Sequence, residues 1–299
     1  MKLSNYLNST SDKRLNYFMD TLSTTNRTPE YYVNWNKVET NTKKYELELN
    51  TLNYLIGKDN IISEARTLFL KQPDLLKAIP SLIAAREREL DVLIIDDKDN
   101  MDFFNIDFAD IDLTNIEEYI DFIQDTGLFD FLKKHAQKSL VDFVYGIETG
   151  LDSNARKNRS GETMENILER NVKKHCNQLG YKYKTEATAT WIRNNWGIDV
   201  PVDKSNRRFD AAIYDDIKNE IYVIETNYYG GGGSKLKSVD GEFRSLNHLV
   251  NGNDIHFVWV TDGQGWHTAR TPLAEAFADI NYIFNLEMLR KEFIYDLIK

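Results

Sequence analysis

Arg208-Phe209-Asp210-Ala211-Ala212-Ile213-Tyr214, then Asp215-Asp216-Ile217-Lys218-Asn219, then Glu220-Ile221-Tyr222-Val223-Ile224-Glu225-Thr226-Asn227 reads as two apolar runs around a polar pentapeptide. Apolar runs separated by a short turn-forming segment pair as an antiparallel hairpin. Counting back from the turn sets Asp210 opposite Ile224 or Glu225, so two carboxylates meet at one end of the hairpin. Strand alternation puts Glu225 and Asn227 on the same face. Converging carboxylates repel unless a cation lies between them. A donor set of hard oxygens without histidine suits Mg2+, which takes one or two protein carboxylates and fills its shell with water and phosphate oxygen. Such an ion supports phosphodiester hydrolysis by activating water and neutralising charge on phosphorus. A bland alternative stands beside this one, in which both groups are strand-end charges pointing into water.

The segment that follows weighs against the bland reading. Tyr228-Tyr229-Gly230-Gly231-Gly232-Gly233-Ser234-Lys235-Leu236-Lys237 comes directly after the hairpin, and four glycines let backbone amides approach phosphate oxygens closely. A nucleotide-binding P-loop needs Gly-Lys-Ser/Thr, whereas this chain has Gly233-Ser234-Lys235, so that reading is set aside. A plain flexible loop stays open. Nucleases of this design usually place a lysine two residues after the second carboxylate; here that residue is Asn227, and Lys235 could supply the missing cation. Glu165 is a third acidic candidate, on a helix expected over residues 163–178, with an exposed helix charge as its alternative. Thr261-Asp262-Gly263-Gln264-Gly265-Trp266 reads as a glycine-stabilised turn beside a buried tryptophan.

Around this centre the patterning is α/β (α+β). Strand-like segments at 181–187, 209–214, 221–228 and 255–260, with helices at 163–178 and 241–250, predict a central mixed sheet flanked by helices. The first half reads as helical, over 45–56, 61–70, 74–79, 81–90, 115–126 and 128–145, with a short strand at 91–95. The expected division is a mainly helical N-terminal region, 1–146, and a core, 147–299. With 299 residues and 41% hydrophobic content, the chain can bury one large core or a core plus an appended domain.

The net charge of −10 opposes a nucleic-acid partner on average, yet residues 154–245 hold 16 Lys and Arg against 13 Asp and Glu. The basic groups Arg156, Lys157 and Arg159, then Arg207 and Arg208, then Lys235 and Lys237 fall where the motifs are. Each is either a solvated face or a phosphate contact. One cysteine, Cys176, excludes an internal disulfide, and five scattered histidines exclude a zinc cluster. No apolar run approaches the roughly 20 residues of a membrane helix, and the first residues do not form a secretory signal, so a cytoplasmic location with no membrane is expected.

The motifs taken together are similar to the DpnII/MboI family of type II restriction endonucleases, within the PD-(D/E)XK nuclease superfamily. The resemblance rests on residues 152–166, on Arg208-Phe209-Asp210, on Ile224-Glu225-Thr226-Asn227-Tyr228-Tyr229, on Gly233-Ser234-Lys235-Leu236 and on 261–266, in matching order over the last half of the chain. A fainter match covers 82–86 and 127–130. The resemblance implies that Asp210 and Glu225 are magnesium ligands, with Phe209 where the motif often has proline. It implies Glu165 as the accessory acid, Asn227 at the lysine position and Lys235 as its replacement. It further implies cleavage of double-stranded DNA at the palindrome GATC to leave 5′ overhangs, a homodimer to match the twofold target, and a cognate adenine methyltransferase in the same system. For DNA contact, Arg156, Lys157, Asn158 and Arg159 are read as one loop, joined by Arg208 and Lys237, able to meet guanine or adenine edges or phosphates. Two alternatives remain: a structure-specific repair or recombination nuclease of the same superfamily, and a non-catalytic DNA-binding module.

Overall fold

In the computed structural model, strands β1 (Glu89–Ile95) and β2 (Met101–Asp107) form one antiparallel pair. Strands β3 (Lys182–Thr188), β4 (Arg208–Asp215), β5 (Glu220–Tyr228), β6 (Ile255–Asp262) and β7 (Tyr282–Phe284) form a five-stranded sheet in that spatial order. The structure describes residues 1–95, 100–250, 252 and 254–299, and for Lys157, Ser234, Lys235 and Lys237 the backbone alone. The α/β class, with a mixed sheet and a largely helical first half, is as expected.

The hairpin that decides the fold closes for a local reason. The Asp215 carboxylate accepts hydrogen bonds from the backbone N–H groups of Ile217 and Lys218 at 2.9 and 3.1 Å, and Asn219 takes a left-handed φ of 59°. An aspartate that bonds two residues ahead and an asparagine that tolerates positive φ are the usual makers of a tight reversal. Ala211 then pairs with Ile224, and each strand's next residue is Asp210 or Glu225. β3, β4 and β5 are antiparallel, while β5, β6 and β7 are parallel. A parallel step needs a crossover. The Ser234–Val250 helix supplies the first and the Arg270–Asp279 helix the second. Phe209, Ala211, Ile213, Ile221, Val223, Phe257 and Val258 are buried together in the core this creates.

The chain divides into two compact units, Met1–Thr28 with Lys157–Lys299, and Pro29–Arg156. Residue 146, the expected division, lies inside the Leu140–Asn154 helix. The first 28 residues belong with the sheet. Tyr6 donates its hydroxyl to the Ile283 carbonyl at 2.6 Å, and the buried Arg14 guanidinium bonds the carbonyls of Phe277 and Asn281. The second unit packs Leu49, Leu52, Phe69, Leu76, Ile120 and Leu132 around its own core.

Several expected elements differ. Residues 81–90, read as a helix, turn instead after Ile79–Leu82: Ala85 bonds back to the Pro80 carbonyl, Ala84 takes φ 60°, and the chain enters β1. Cross-strand pairing of 89–95 with 101–107 overrides a helix-favouring composition there. The 128–145 helix is two helices, Leu128–Lys134 and Leu140–Asn154. The 163–178 helix is longer, Arg156–Leu179, and the 241–250 helix begins at Ser234.

Candidate active site

The site lies where β4 and β5 end together. The backbone N–H of Thr226 donates to Asp210 Oδ2 at 2.6 Å, tying one carboxylate across the strands. Glu225 is 7% exposed. Burial pushes its carboxyl up to about 8, the adjacent Asp210 charge adds to the rise, and the Arg207 guanidinium works against it. Burial likewise pushes Asp210 up to about 6, opposed by the Thr226 N–H and reinforced by the charges of Glu165 and Glu186. Glu165, exposed on the Arg156–Leu179 helix, is therefore near enough to be felt at Asp210. The structure thus sets Asp210 beside Glu225, with Glu165 acting on Asp210 through its charge.

Arg207 was missed as a site residue by the sequence reading. It sits one residue before β4 with a side chain only 9% exposed, and bridges three acids. Nη1 donates to Glu225 at 3.2 Å, Nη2 to Glu242 at 2.7 Å, and Nε and Nη2 to both oxygens of Asp203 at 2.9 and 2.7 Å. A guanidinium held in this way fixes the Glu225 carboxylate in place. Glu242 comes from the crossover helix, so no local spacing announces the group.

Asn227 pairs in register with Thr261 on β6, and its Oδ1 accepts the Thr261 hydroxyl at 2.5 Å. Thr261 in turn accepts from Trp266 Nε1 at 2.9 Å. Trp266 is fully buried, as the turn reading expected. The same turn is stitched to the end of β5, since Tyr229 N–H donates to the Asp262 carbonyl and Gly265 N–H donates to the Tyr229 carbonyl.

The basic candidates sort differently. Arg156 to Arg159 are not a loop but the first turn of the Arg156–Leu179 helix. Arg156 Nε donates to the Tyr32 carbonyl at 3.1 Å; Asn158 is exposed and Arg159 half-buried. Arg208 is 61% exposed and pairs with Glu186 at 3.1 Å. Lys235 and Lys237 begin the Ser234–Val250 helix rather than continue the glycine loop. Their side chains, and that of Lys157, lie outside the described residues.

Among the described residues no three His, Cys, Asp or Glu side chains form a ready-made metal cage. The donors present are two buried carboxylates without nitrogen or sulfur, each destabilised in its charged form. That set fits a hard divalent ion that keeps most of its water, as magnesium does.

A mixed sheet that carries two acids at the mouth of its central hairpin, with a further acid on a helix acting on one of them, is consistent with a PD-(D/E)XK nuclease. Comparison with known proteins narrows the class: the chain belongs to the DpnII restriction endonuclease family, which it matches over residues 14–296. It is 60% identical to the type II restriction enzyme LlaDCHI of Lactococcus lactis subsp. cremoris over 100% of this chain and 99% of that one. It is 40% identical to MjaIII of Methanocaldococcus jannaschii over 94% and 98% of the two chains, and 35% identical to DpnII of Streptococcus pneumoniae over 89% and 92%. No solved structure is matched. The protein is thus a type II restriction enzyme, a site-specific deoxyribonuclease acting on DNA. Enzymes of this type generally use divalent metal ions. Among the described residues no helix is long and apolar enough to cross a membrane.

Proposed function

We propose that this chain hydrolyses double-stranded DNA at GATC, in a magnesium-dependent reaction that leaves 5′ overhangs, as a homodimer in the cytoplasm alongside a cognate adenine methyltransferase. The observation that carries the chemistry is the convergence of Asp210 and Glu225 at the buried end of one hairpin. The tetranucleotide, the overhang, the dimer and the methyltransferase rest on the resemblance of the ordered motifs to the family.

Asp210 and Glu225 would hold the ion, with Arg207 steadying Glu225 from behind. When bound, magnesium would lower the pKa of water for attack and spread charge from the phosphate. Glu165 adds negative charge beside Asp210, which favours a cation there. Lys235 is assigned as the positive group that meets the attacked phosphate, and Arg156, Lys157, Asn158, Arg159, Arg208 and Lys237 as DNA contacts. Binding by such groups weakens with salt, because the counterions they release from the DNA gain less entropy in a more concentrated solution.

Digestion tests the target. A plasmid with mapped GATC sites is expected to give discrete fragments whose sequenced ends carry 5′ extensions, while a plasmid lacking GATC stays whole. Even degradation of both would favour the repair-nuclease reading, and no cutting of either would favour the non-catalytic one.

A second expectation follows from the raised carboxyls. The folded metal-free protein holds protons on Asp210 and Glu225 that the unfolded chain has already released. The pair's contribution to stability is therefore greatest at low pH and is lost as pH rises through about 6 and about 8. A bound dication prefers the ionised pair and stabilises the folded state by mass action. The rise in melting temperature on adding magnesium is thus expected to be small near pH 5 and large near pH 8.5. A rise that is the same at both values would contradict the assignment of these ligands.

A further inference from the structure

The lysine position of this nuclease is occupied by an asparagine, and the structure shows how its amide is held. Trp266 Nε1–H can only donate, so at 2.9 Å the Thr261 hydroxyl oxygen is its acceptor. The single hydroxyl proton is then free to point along the 2.5 Å contact to Asn227, which makes the contacting amide atom the carbonyl oxygen. Turning the amide over would set NH2 against Thr261 and strip the hydroxyl proton of this acceptor. Thr261 and Trp266 are both fully buried, where no water can replace a hydrogen bond left unmade. The chain Trp266 to Thr261 to Asn227 therefore has one direction, and it leaves Nδ2 with both protons on the side away from Thr261. Asn227 itself is only half-buried, and by strand alternation it shares a face with Glu225.

We propose that Thr261 and Trp266 are positioning residues that present the Asn227 NH2 group as a fixed, neutral hydrogen-bond donor to the phosphate at the reacting centre. The inference rests on the nuclease reading above. An amide so held can do part of what lysine does elsewhere, by donating to a phosphoryl oxygen, without carrying a charge that titrates. Preorganisation is what gives such a donor its value, because nothing has to reorient as charge develops. It also gives the Trp266 indole a role beyond packing, since a phenylalanine there would be smaller and would have no N–H with which to direct the threonine.

The test separates the hydroxyl from the shape of residue 261. Thr261→Val keeps the β-branch and removes the hydroxyl; Thr261→Ser does the reverse. Turnover of GATC-containing duplex is expected to fall tenfold or more in Thr261→Val and to stay within about threefold of the parent in Thr261→Ser. Affinity for the same duplex, measured with calcium in place of magnesium, should change less than threefold in both. In an Asn227→Ala background the valine substitution should have no further effect, since its action passes through the amide. Should Thr261→Val fail to melt cooperatively, Thr261→Ala is read in its place. Equal turnover in the valine and serine variants, or an undiminished loss in the Asn227→Ala background, overturns the relay while the nuclease stands. A parent protein that cuts no duplex overturns the nuclease reading instead.

Discussion

Glu225→Gln is expected to reduce cleavage of duplex DNA at least a thousandfold while leaving the protein folded and able to bind DNA. The substitution keeps the shape of the side chain, and the glutamine oxygen can still accept from Arg207 at the place where Glu225 Oε1 now does. What it removes is the negative charge. Electrostatic stabilisation by a bound ion amounts to several kcal/mol of barrier, and about 4 kcal/mol corresponds to a thousandfold in rate. Folding should not suffer. The carboxyl is buried beside Asp210, and burial already favours its protonated, neutral form in the metal-free protein, so a neutral amide of the same shape costs the fold little. Gel-shift affinity with calcium and a thermal melt accompany the rate measurement. Turnover within tenfold of the parent would remove Glu225 from the metal-binding pair, and a collapsed melt would make it a structural residue.

Gly263→Ala is expected to destabilise the protein by about 3 kcal/mol or more and to abolish activity with it. Gly263 has φ 111°, a conformation closed to residues with a side chain, and an added Cβ would lie 2.3 Å from the Tyr229 carbonyl oxygen. Both effects act at once, and the atom in the way is backbone, which cannot swing aside. The strand end that would be displaced is the one bearing Glu225 and Asn227. Gly241→Ala is the matched control. Gly241 lies within the Ser234–Val250 helix with nothing inside 4 Å of an added Cβ, so alanine there should be neutral or stabilise by up to about 1 kcal/mol. A denaturant melt of the two variants compares them directly. Similar midpoints would mean that the turn after β6 yields freely and does not hold the site.

Much of this architecture can be read along the chain because its causes are local. Apolar runs at 209–214 and 221–224 around a polar turn, with Asp215 and Asn219 equipped to reverse the backbone, are sufficient to set Asp210 opposite Ile224 or Glu225, and the register of the folded strands selects Glu225. The glycines of 263–265 likewise declare a turn that a bulkier residue would block. Where reading along the chain failed, distant partners outbid local preference. Residues 84–90 have a helix-forming composition, yet the helix stops at Leu82 and pairing of 89–95 with 101–107 draws Glu89 and Leu90 into a strand. Residues 156–159 look like a basic loop in isolation, but the backbone continues unbroken as helix to Leu179.

The remaining features exist only because separate segments meet. Arg207 reaches Glu225 on β5 and Glu242 on the crossover helix, and the Met1–Thr28 segment joins the sheet through Tyr6 and Arg14. Asn227 acquires a direction from Thr261 and Trp266, which lie 34 and 39 positions further on. Residue type and spacing report what a short stretch prefers, since turn chemistry and side-chain alternation act over a few residues. Which buried polar atoms satisfy one another depends on how strands and helices are brought together in space, and that arrangement gives an asparagine at the lysine position a defined orientation.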